Sequence, residues 1–134
     1  MKVVLDTNVV VSAFLSPGGK PAVILKEVLH GSFDICINTA ILVEYEQVLS
    51  RVKFSERISL SSIQRFFEIL YEIGIKIDCV PSSTVLHDEA DRMFYDTAKA
   101  AKAILITGNK KHYPDESFIQ DPAGFISLLQ DMRR

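Results

Sequence analysis

The sequence predicts an α/β protein built around a mostly parallel sheet. Short apolar segments alternate along the chain with longer amphipathic ones, a pattern typical of helices packed on a sheet. The run Val3-Val4-Leu5 is continuously apolar, as in a strand covered on both faces, and we expect it at the centre of the sheet. The chain has 134 residues and is 48% hydrophobic, which predicts a single domain over 1–134.

The elements follow in order from the apolar pattern and its breaks. Residues 2–5 are predicted to form the first strand, and an apolar stretch at 9–15 ends at the break SPGG. Pro21 suits the first turn of a helix that continues to Gly31. The remaining predicted elements are a strand at 33–37, a helix at 39–51, a helix at 60–73, a strand at 75–80, a helix at 88–103, a strand at 104–107, a strand at 118–120 and a helix at 122–132.

Composition excludes several classes of protein. The net charge of −2 shows that the chain as a whole is not a polycation, so nucleic acid binding would require local basic clusters or bridging metal ions. Neither a membrane-spanning apolar stretch nor the pattern of a signal peptide is found, and we expect a cytoplasmic protein without membrane partners. Cys36 and Cys79 form no C-x-x-C pair, so we expect buried free thiols rather than a zinc site. The chain also lacks the phosphate-loop frame and the G-x-S-x-G motif of α/β hydrolases.

Acidic and amide side chains recur where the predicted strands end. Asp6 directly follows the first strand, and Asn109 closely follows the strand at 104–107. Glu44 lies early in the helix after the second strand, and Asp91 lies near the start of the helix at 88–103. Because ligands of an open parallel sheet bind at the carboxyl ends of its strands, we expect these residues at one edge. Converging carboxylates repel one another, and hard oxygen ligands favour Mg²⁺ or Mn²⁺.

Each of these acids also has a purely structural interpretation. Asp6 is placed to cap a helix beginning near Thr7. Asp91 at a helix start is favoured by the helix dipole in any protein. Glu44 and Glu46 flank the apolar face of their helix on opposite sides, so helical periodicity does not choose between them.

Taken together, the motifs resemble the PIN domain family, the metal-dependent ribonucleases common as toxins of bacterial and archaeal toxin–antitoxin pairs. Four segments carry the resemblance, which extends over essentially the whole chain: VVLDTNVVVSAF, ILVEYEQVLSRVKF, DEADRMFYDTAKAAKA and ILITGNKKHYP. The resemblance implies a three-layer α/β/α domain with the strand order 3-2-1-4-5. It also implies that the acid of the second motif is Glu44 and that the acid of the third is Asp91.

The resemblance further implies metal-assisted hydrolysis of an RNA phosphodiester. Asp6, Glu44 and Asp91 would hold Mg²⁺ or Mn²⁺, directly or through water. At the fourth position many family members carry T-x-D, whereas this chain has Asn109, an amide without charge. That departure leaves open whether one or two ions bind. The candidates for hydrogen bonds that orient the carboxylates are Thr7, Asn8 and Thr107.

The expected partners also follow from the resemblance. They are an RNA substrate, a cognate antitoxin protein and a second copy of the chain, with the helices at 39–51 and 60–73 as candidates for the dimer face. Lys110 and Lys111 border the predicted site as candidate phosphate contacts, and Arg51, Lys53 and Arg57 form a second basic cluster. Two alternative functions stay open: a non-catalytic PIN-like domain that binds RNA or protein, and a housekeeping RNA-processing nuclease.

Overall fold

The computed structural model describes residues 1–51 and 57–133, and within them five parallel strands form one sheet. In chain order the strands are β1 (Lys2–Leu5), β2 (Asp34–Ile37), β3 (Ile75–Lys76), β4 (Ile104–Ile106) and β5 (Ile119–Gln120). Their order across the sheet is β3-β2-β1-β4-β5, with β1 in the centre. The predicted α/β class and the strand order 3-2-1-4-5 are confirmed.

Helices flank this sheet. They are α1 (Thr7–Leu15), α2 (Lys20–Leu29), α3 (Thr39–Leu49), α4 (Leu60–Ile73), α5 (Arg92–Ala101) and α6 (Pro122–Met132), with 3₁₀ turns at Glu89–Asp91 and Lys110–His112. Helix α5 packs against β1, β2 and β4, while α1 packs against α2 and α3. None of the described helices is by itself long and apolar enough to cross a membrane. The pair α1 and α2 meets that test jointly by length and composition, with a bend of 103° between them.

The hydrophobic core surrounds the central strand. Val3, Val4 and Leu5 are fully buried, which explains their continuously apolar sequence. On α3, Tyr45 is also fully buried, and its ring stacks on Phe94 of α5 with 6.3 Å between centroids. The Tyr45 hydroxyl donates a hydrogen bond of 2.5 Å to the carbonyl of Leu5. Helix α3 is thereby tied to the last residue of β1, directly before Asp6.

Strand β3 is shorter than the predicted span of 75–80. Only Ile75 and Lys76 pair with β2, and the N–H of Ile77 makes one further bond of 2.9 Å to the carbonyl of Ile37. Strand β2 ends there because Asn38 caps α3, with its side chain accepting from the N–H of Ile41. The remaining residues of the predicted strand therefore lie beyond the end of β2 and have no strand to pair with there. The alternation of apolar and polar residues does not show where β2 ends.

The helix predicted over 88–103 is also divided. It begins with a 3₁₀ turn because the Asp88 side chain accepts from the N–H of Ala90 at 3.0 Å. It ends at Lys102, whose φ of +55° is left-handed and terminates α5.

Cys79, expected to be buried, is exposed because it lies in the extended segment after β3, whereas Cys36 is buried as predicted.

One glycine is required by a close approach. A Cβ atom on Gly74 would lie 2.5 Å from the Ile37 side chain and 2.6 Å from the carbonyl of Leu70. Gly74 follows α4 directly, so α4 can lead into β3 without a side chain between them. The absence of a side chain at Gly74 thus allows the edge strand β3 to begin close to β2.

Candidate active site at the carboxyl edge of the sheet

Asp6 lies at the centre of the candidate site. It follows β1, and its N–H donates to the carbonyl of Ile106 on β4 at 2.9 Å. The residue occupies the capping position of α1, but its side chain makes no capping hydrogen bond. Instead, one carboxylate oxygen, Oδ2, accepts from the hydroxyls of Thr107 at 2.8 Å and Tyr113 at 2.9 Å. The side chain is 95% buried, so the structural interpretation of Asp6 as a side-chain cap is not supported.

Asp91 is the second acid at this edge, close enough to Asp6 for their charges to interact. It is the last residue of the 3₁₀ turn before α5 and is half-buried. Its pKa is raised to about 6, first by burial and then by the negative charges of Asp6 and Asp88. The charge of His112 and the Tyr113 hydroxyl oppose this increase. The sheet edge therefore brings together the two acids of the first and third motifs.

Burial also raises the pKa of Asp6. The Thr107 and Tyr113 hydroxyls and the N–H groups of Thr7 and Asn8 stabilise its charged form and partly offset that increase. The pKa of Tyr113 is raised by burial and by both carboxylates, so its hydroxyl stays protonated and donates. Two carboxyls that are both costly to ionise form a site in which a divalent cation would remove the repulsion.

Glu44 and Glu46 lie on different sides of α3. Glu46 is exposed and lines the groove between α3 and α4 together with Tyr71. Two residues of helix rotate a side chain by about 200°, so half-buried Glu44 points away from that groove. Within residues 1–51 and 57–133, no three Asp, Glu, His or Cys side chains lie close enough to hold a metal ion. The structure thus does not bring Glu44 into such a group with Asp6 and Asp91.

Asn109 lies at the same edge, at the start of the 3₁₀ turn 110–112, and is exposed. Its N–H donates to the Thr107 hydroxyl at 3.1 Å, and that hydroxyl in turn donates to Asp6. The predicted orienting role of Thr107 is therefore supported by a direct contact. The Asn8 side chain accepts from the N–H of Gly108 at 2.8 Å, so it joins the two loops rather than touching a carboxylate.

Sequence reasoning missed Tyr113 and Asp96. Tyr113 belongs to the quoted motif NKKHYP, but nothing in the letters indicates that its hydroxyl turns back to Asp6. Asp96 is buried on α5 and accepts from the N–H of Ser82 at 2.9 Å and from its hydroxyl at 2.5 Å. Arg92 donates to the carbonyl of Ser82 at 2.7 Å and so fastens the same loop. Asp96 lies on the apolar face of an amphipathic helix, and an acid in that position could have indicated a buried, hydrogen-bonded carboxylate.

Basic and imidazole groups border the acids. Lys110 and Lys111 are exposed beside Asn109, and the rings of His87 and His112 lie with centroids 5.0 Å apart. In the second basic cluster, Arg51 and Arg57 are exposed, whereas Lys53 lies outside the described residues. The group next to Asn109 is therefore the one that the structure places beside the acidic edge.

The side chains at this edge fit a hard divalent cation. The two carboxylates and the Thr107 and Tyr113 hydroxyls that contact Asp6 offer oxygen atoms, the ligands that Mg²⁺ and Mn²⁺ prefer. The hydroxyl of Thr7 is buried and has no hydrogen-bond partner in the described part of the chain, so the predicted hydrogen bond from Thr7 to a carboxylate is not found there. A buried hydroxyl without a partner is uncommon, and here it belongs to the residue after Asp6.

The fold and this edge define a parallel α/β protein with acidic side chains at the carboxyl ends of its strands. The sequence model of the PIN domain matches residues 2–111, and the chain belongs to the PIN domain family. The matched residues include the candidate acids Asp6, Glu44 and Asp91 as well as Asn109. PIN domains are in general nucleases.

The chain is also similar to two other proteins. The uncharacterized protein MJ1680 of Methanocaldococcus jannaschii is 33% identical over 113 residues, which cover 82% of this chain and 72% of that relative. A chain in the crystal structure of VapBC2 from Rickettsia felis bound to a DNA fragment from their promoter superposes with a TM-score of 0.58. That match has 19% sequence identity and covers 90% of this chain and 98% of the other. At this identity the superposition establishes a shared fold.

Proposed function

We propose that this PIN domain is a divalent-metal-dependent endoribonuclease and the toxin of a toxin–antitoxin pair. The observation that carries the proposal is the buried carboxyl of Asp6 at the end of the central strand, close enough to Asp91 that its charge raises the pKa of Asp91. Nuclease activity is the general property of the family, and this edge is where such chemistry would take place. A cytoplasmic location belongs to the same proposal.

Each residue of the candidate active site has a proposed role. Asp6 and Asp91 would hold one Mg²⁺ or Mn²⁺. Glu44, which the structure does not bring into one ligand group with them, would contribute through a water molecule. An ion held there would supply Lewis-acid activation of a water molecule and positive charge opposite the phosphate. Thr107 keeps the Asp6 carboxylate in place through its 2.8 Å hydrogen bond. Asn109, at the same edge, carries no charge, so the site has one negative charge fewer than it would have with an aspartate there.

Lys110 and Lys111 are proposed to contact the RNA backbone. Both are exposed on the 3₁₀ turn that follows Asn109, so they reach solvent beside the acidic edge. They provide local positive charge in a chain whose net charge is −2. This arrangement meets the requirement that nucleic acid binding rest on a local cluster rather than on overall charge.

A cognate antitoxin and a second copy of the chain are proposed as partners. The fold is shared with a chain of VapBC2, which was crystallised with DNA from its own promoter. On this chain, α3 and α4 border an apolar groove of about 790 Å³, and exposed apolar side chains lie on both helices, among them Val43 and Tyr71. Light scattering of the purified protein measures the oligomeric state. A small neighbouring gene whose product binds the chain and blocks its activity would identify the antitoxin, and its absence would favour a housekeeping nuclease.

The direct test is RNA cleavage with Mn²⁺ or Mg²⁺ by the protein and by Asp6→Asn. The matched control is Asp34→Asn, because Asp34 is an exposed aspartate at the opposite end of the neighbouring strand β2. We expect metal-dependent cleavage by the wild type and the control, loss of cleavage in Asp6→Asn, and no cleavage in EDTA. Equal cleavage by Asp6→Asn, or cleavage that persists in EDTA, would refute the proposal.

A non-catalytic PIN-like domain that binds RNA or protein is the second candidate. Two observations favour it: Asn109 replaces a charged ligand, and the described residues contain no group of three metal-ligating side chains. RNA binding without cleavage, unchanged by EDTA and by Asp6→Asn, would support this candidate over the nuclease.

A further inference from the structure

Two hydroxyl groups occupy the same oxygen of Asp6. Thr107 donates to Oδ2 at 2.8 Å and Tyr113 donates to it at 2.9 Å. A carboxylate oxygen offers two lone pairs, so these two bonds fill Oδ2. Neither hydroxyl donates to the other oxygen, Oδ1. The two oxygens of the Asp6 carboxylate therefore differ in their hydrogen bonds to these hydroxyls.

Both donors are held firmly by the chain around them. Thr107 directly follows β4, is fully buried, and its N–H donates to the carbonyl of Gln120 at 2.9 Å. Tyr113 is 94% buried, and its N–H donates to the carbonyl of Lys110 in the preceding 3₁₀ turn at 3.1 Å. Since neither side chain can turn away without breaking buried contacts, the hydroxyls hold the carboxylate in one orientation.

We infer that Tyr113 is a positioning residue which, with Thr107, leaves only Oδ1 of Asp6 for a cation and so favours Mg²⁺ or Mn²⁺ over Ca²⁺. This inference rests on the proposed metal site. Mg²⁺ requires a compact octahedron and takes few protein ligands, so one oxygen from each carboxylate suits it. Ca²⁺ takes six to eight oxygens and often binds both oxygens of a carboxylate. With Oδ2 filled by two hydroxyls, Asp6 cannot bind Ca²⁺ through both oxygens.

The experiment compares the affinities for Mn²⁺ and Ca²⁺ of the wild type and Tyr113→Phe by calorimetric titration. Tyr113→Phe retains the ring and removes a hydroxyl that interacts with Asp91 as well as with Asp6. Thr107→Val is therefore titrated beside it, because the Thr107 hydroxyl donates to Asp6. The matched control is Tyr95→Phe, because the buried Tyr95 also donates its hydroxyl to a carboxylate, that of Glu116. We expect Tyr113→Phe to shift the ratio of Ca²⁺ to Mn²⁺ affinity about 10-fold towards Ca²⁺, the lower end of the effect of removing such a partner. The control should keep the wild-type ratio.

The outcomes separate this inference from the proposed function. If the wild type binds Mn²⁺ and Tyr113→Phe keeps the same ratio, the inference is wrong and the metal site stands. If the wild type binds neither ion, the proposed function fails and the inference fails with it. If Tyr113→Phe does not fold, Thr107→Val removes the other hydroxyl at nearly constant shape. It should shift the ratio in the same direction, and an unchanged ratio in that variant would also overturn the inference.

Discussion

Replacing Asp91 with asparagine should stabilise the metal-free protein at neutral and alkaline pH. The pKa of Asp91 is raised from 3.8 to about 6 by burial and by Asp6 and Asp88. A difference of about two pKa units corresponds to about 3 kcal/mol. Because Asp91 is only half-buried, screening by water reduces the expected gain to about 1.5 kcal/mol. For 134 residues this free energy raises the melting temperature by about 5 °C.

The gain should depend on pH with a defined sign. A carboxyl with a raised pKa binds a proton more readily in the folded state than in the unfolded state. Its contribution therefore favours folding at low pH and is lost as the pH rises from about 4 to about 6. Asp91→Asn should accordingly gain most at pH 8 and clearly less at pH 4.5.

Thermal melts in EDTA at both pH values measure this effect, and a third melt with excess Mn²⁺ tests the site itself. The wild type should gain stability from Mn²⁺ at pH 8, whereas Asp91→Asn should gain little because an anionic ligand is lost. The control Asp34→Asn removes an exposed charge at the opposite end of β2 and should respond to Mn²⁺ like the wild type. A gain for Asp91→Asn that is equal at the two pH values would refute the raised pKa of Asp91.

Three further variants test the site and its support. Asn109→Asp adds a charge beside the acids, so it should melt lower than the wild type without metal and gain more from Mn²⁺; equal gains would place Asn109 outside the ion's environment. Asp96→Ala removes the acceptor of both Ser82 hydrogen bonds and should lower the free energy of unfolding in urea by about 2 kcal/mol, while a change under about 0.5 kcal/mol would contradict its role in fastening the loop. Gly74→Ala should lower the free energy of unfolding in urea by about 1–3 kcal/mol. The control Gly18→Ala, where a Cβ meets no atom within 4 Å, should lower it far less. Similar decreases in the two variants would refute the close approach at Gly74.

Much of the sheet could be predicted because its strands depend on local patterns. The run Val3-Val4-Leu5 is apolar since both faces of β1 are covered, and that is visible in the sequence itself. The span of β3 could not be predicted in this way. Alternation continues to Val80, but pairing stops where Asn38 caps α3 and ends β2. The end of a strand is set by its neighbour, which lies elsewhere in the sequence.

The same distinction applies to the site. Asp6 and Asp91 were predicted to lie at one edge from their places after a strand and before a helix, and in the structure they are close enough for the charge of Asp6 to raise the pKa of Asp91. The contact of Tyr113 with Asp6 was not predicted, because it joins residues 107 positions apart through a side chain whose direction no pattern records. The role of Glu44 as a metal ligand stays a prediction.

The environment of Asp6 depends on strand pairing more than on any local motif. The N–H of Asp6 is held by Ile106, and its carboxylate is held by Thr107 and Tyr113, so all these contacts come from β4 and the segment that follows it. A displacement of β4 against β1 would therefore break the backbone bond and both hydroxyl bonds together. Conversely, a cation bound between Asp6 and Asp91 would join the end of β1 to the start of α5. Metal binding should for this reason stabilise the pairing of the central strands, and protection of their amide hydrogens from exchange should increase when Mn²⁺ is added.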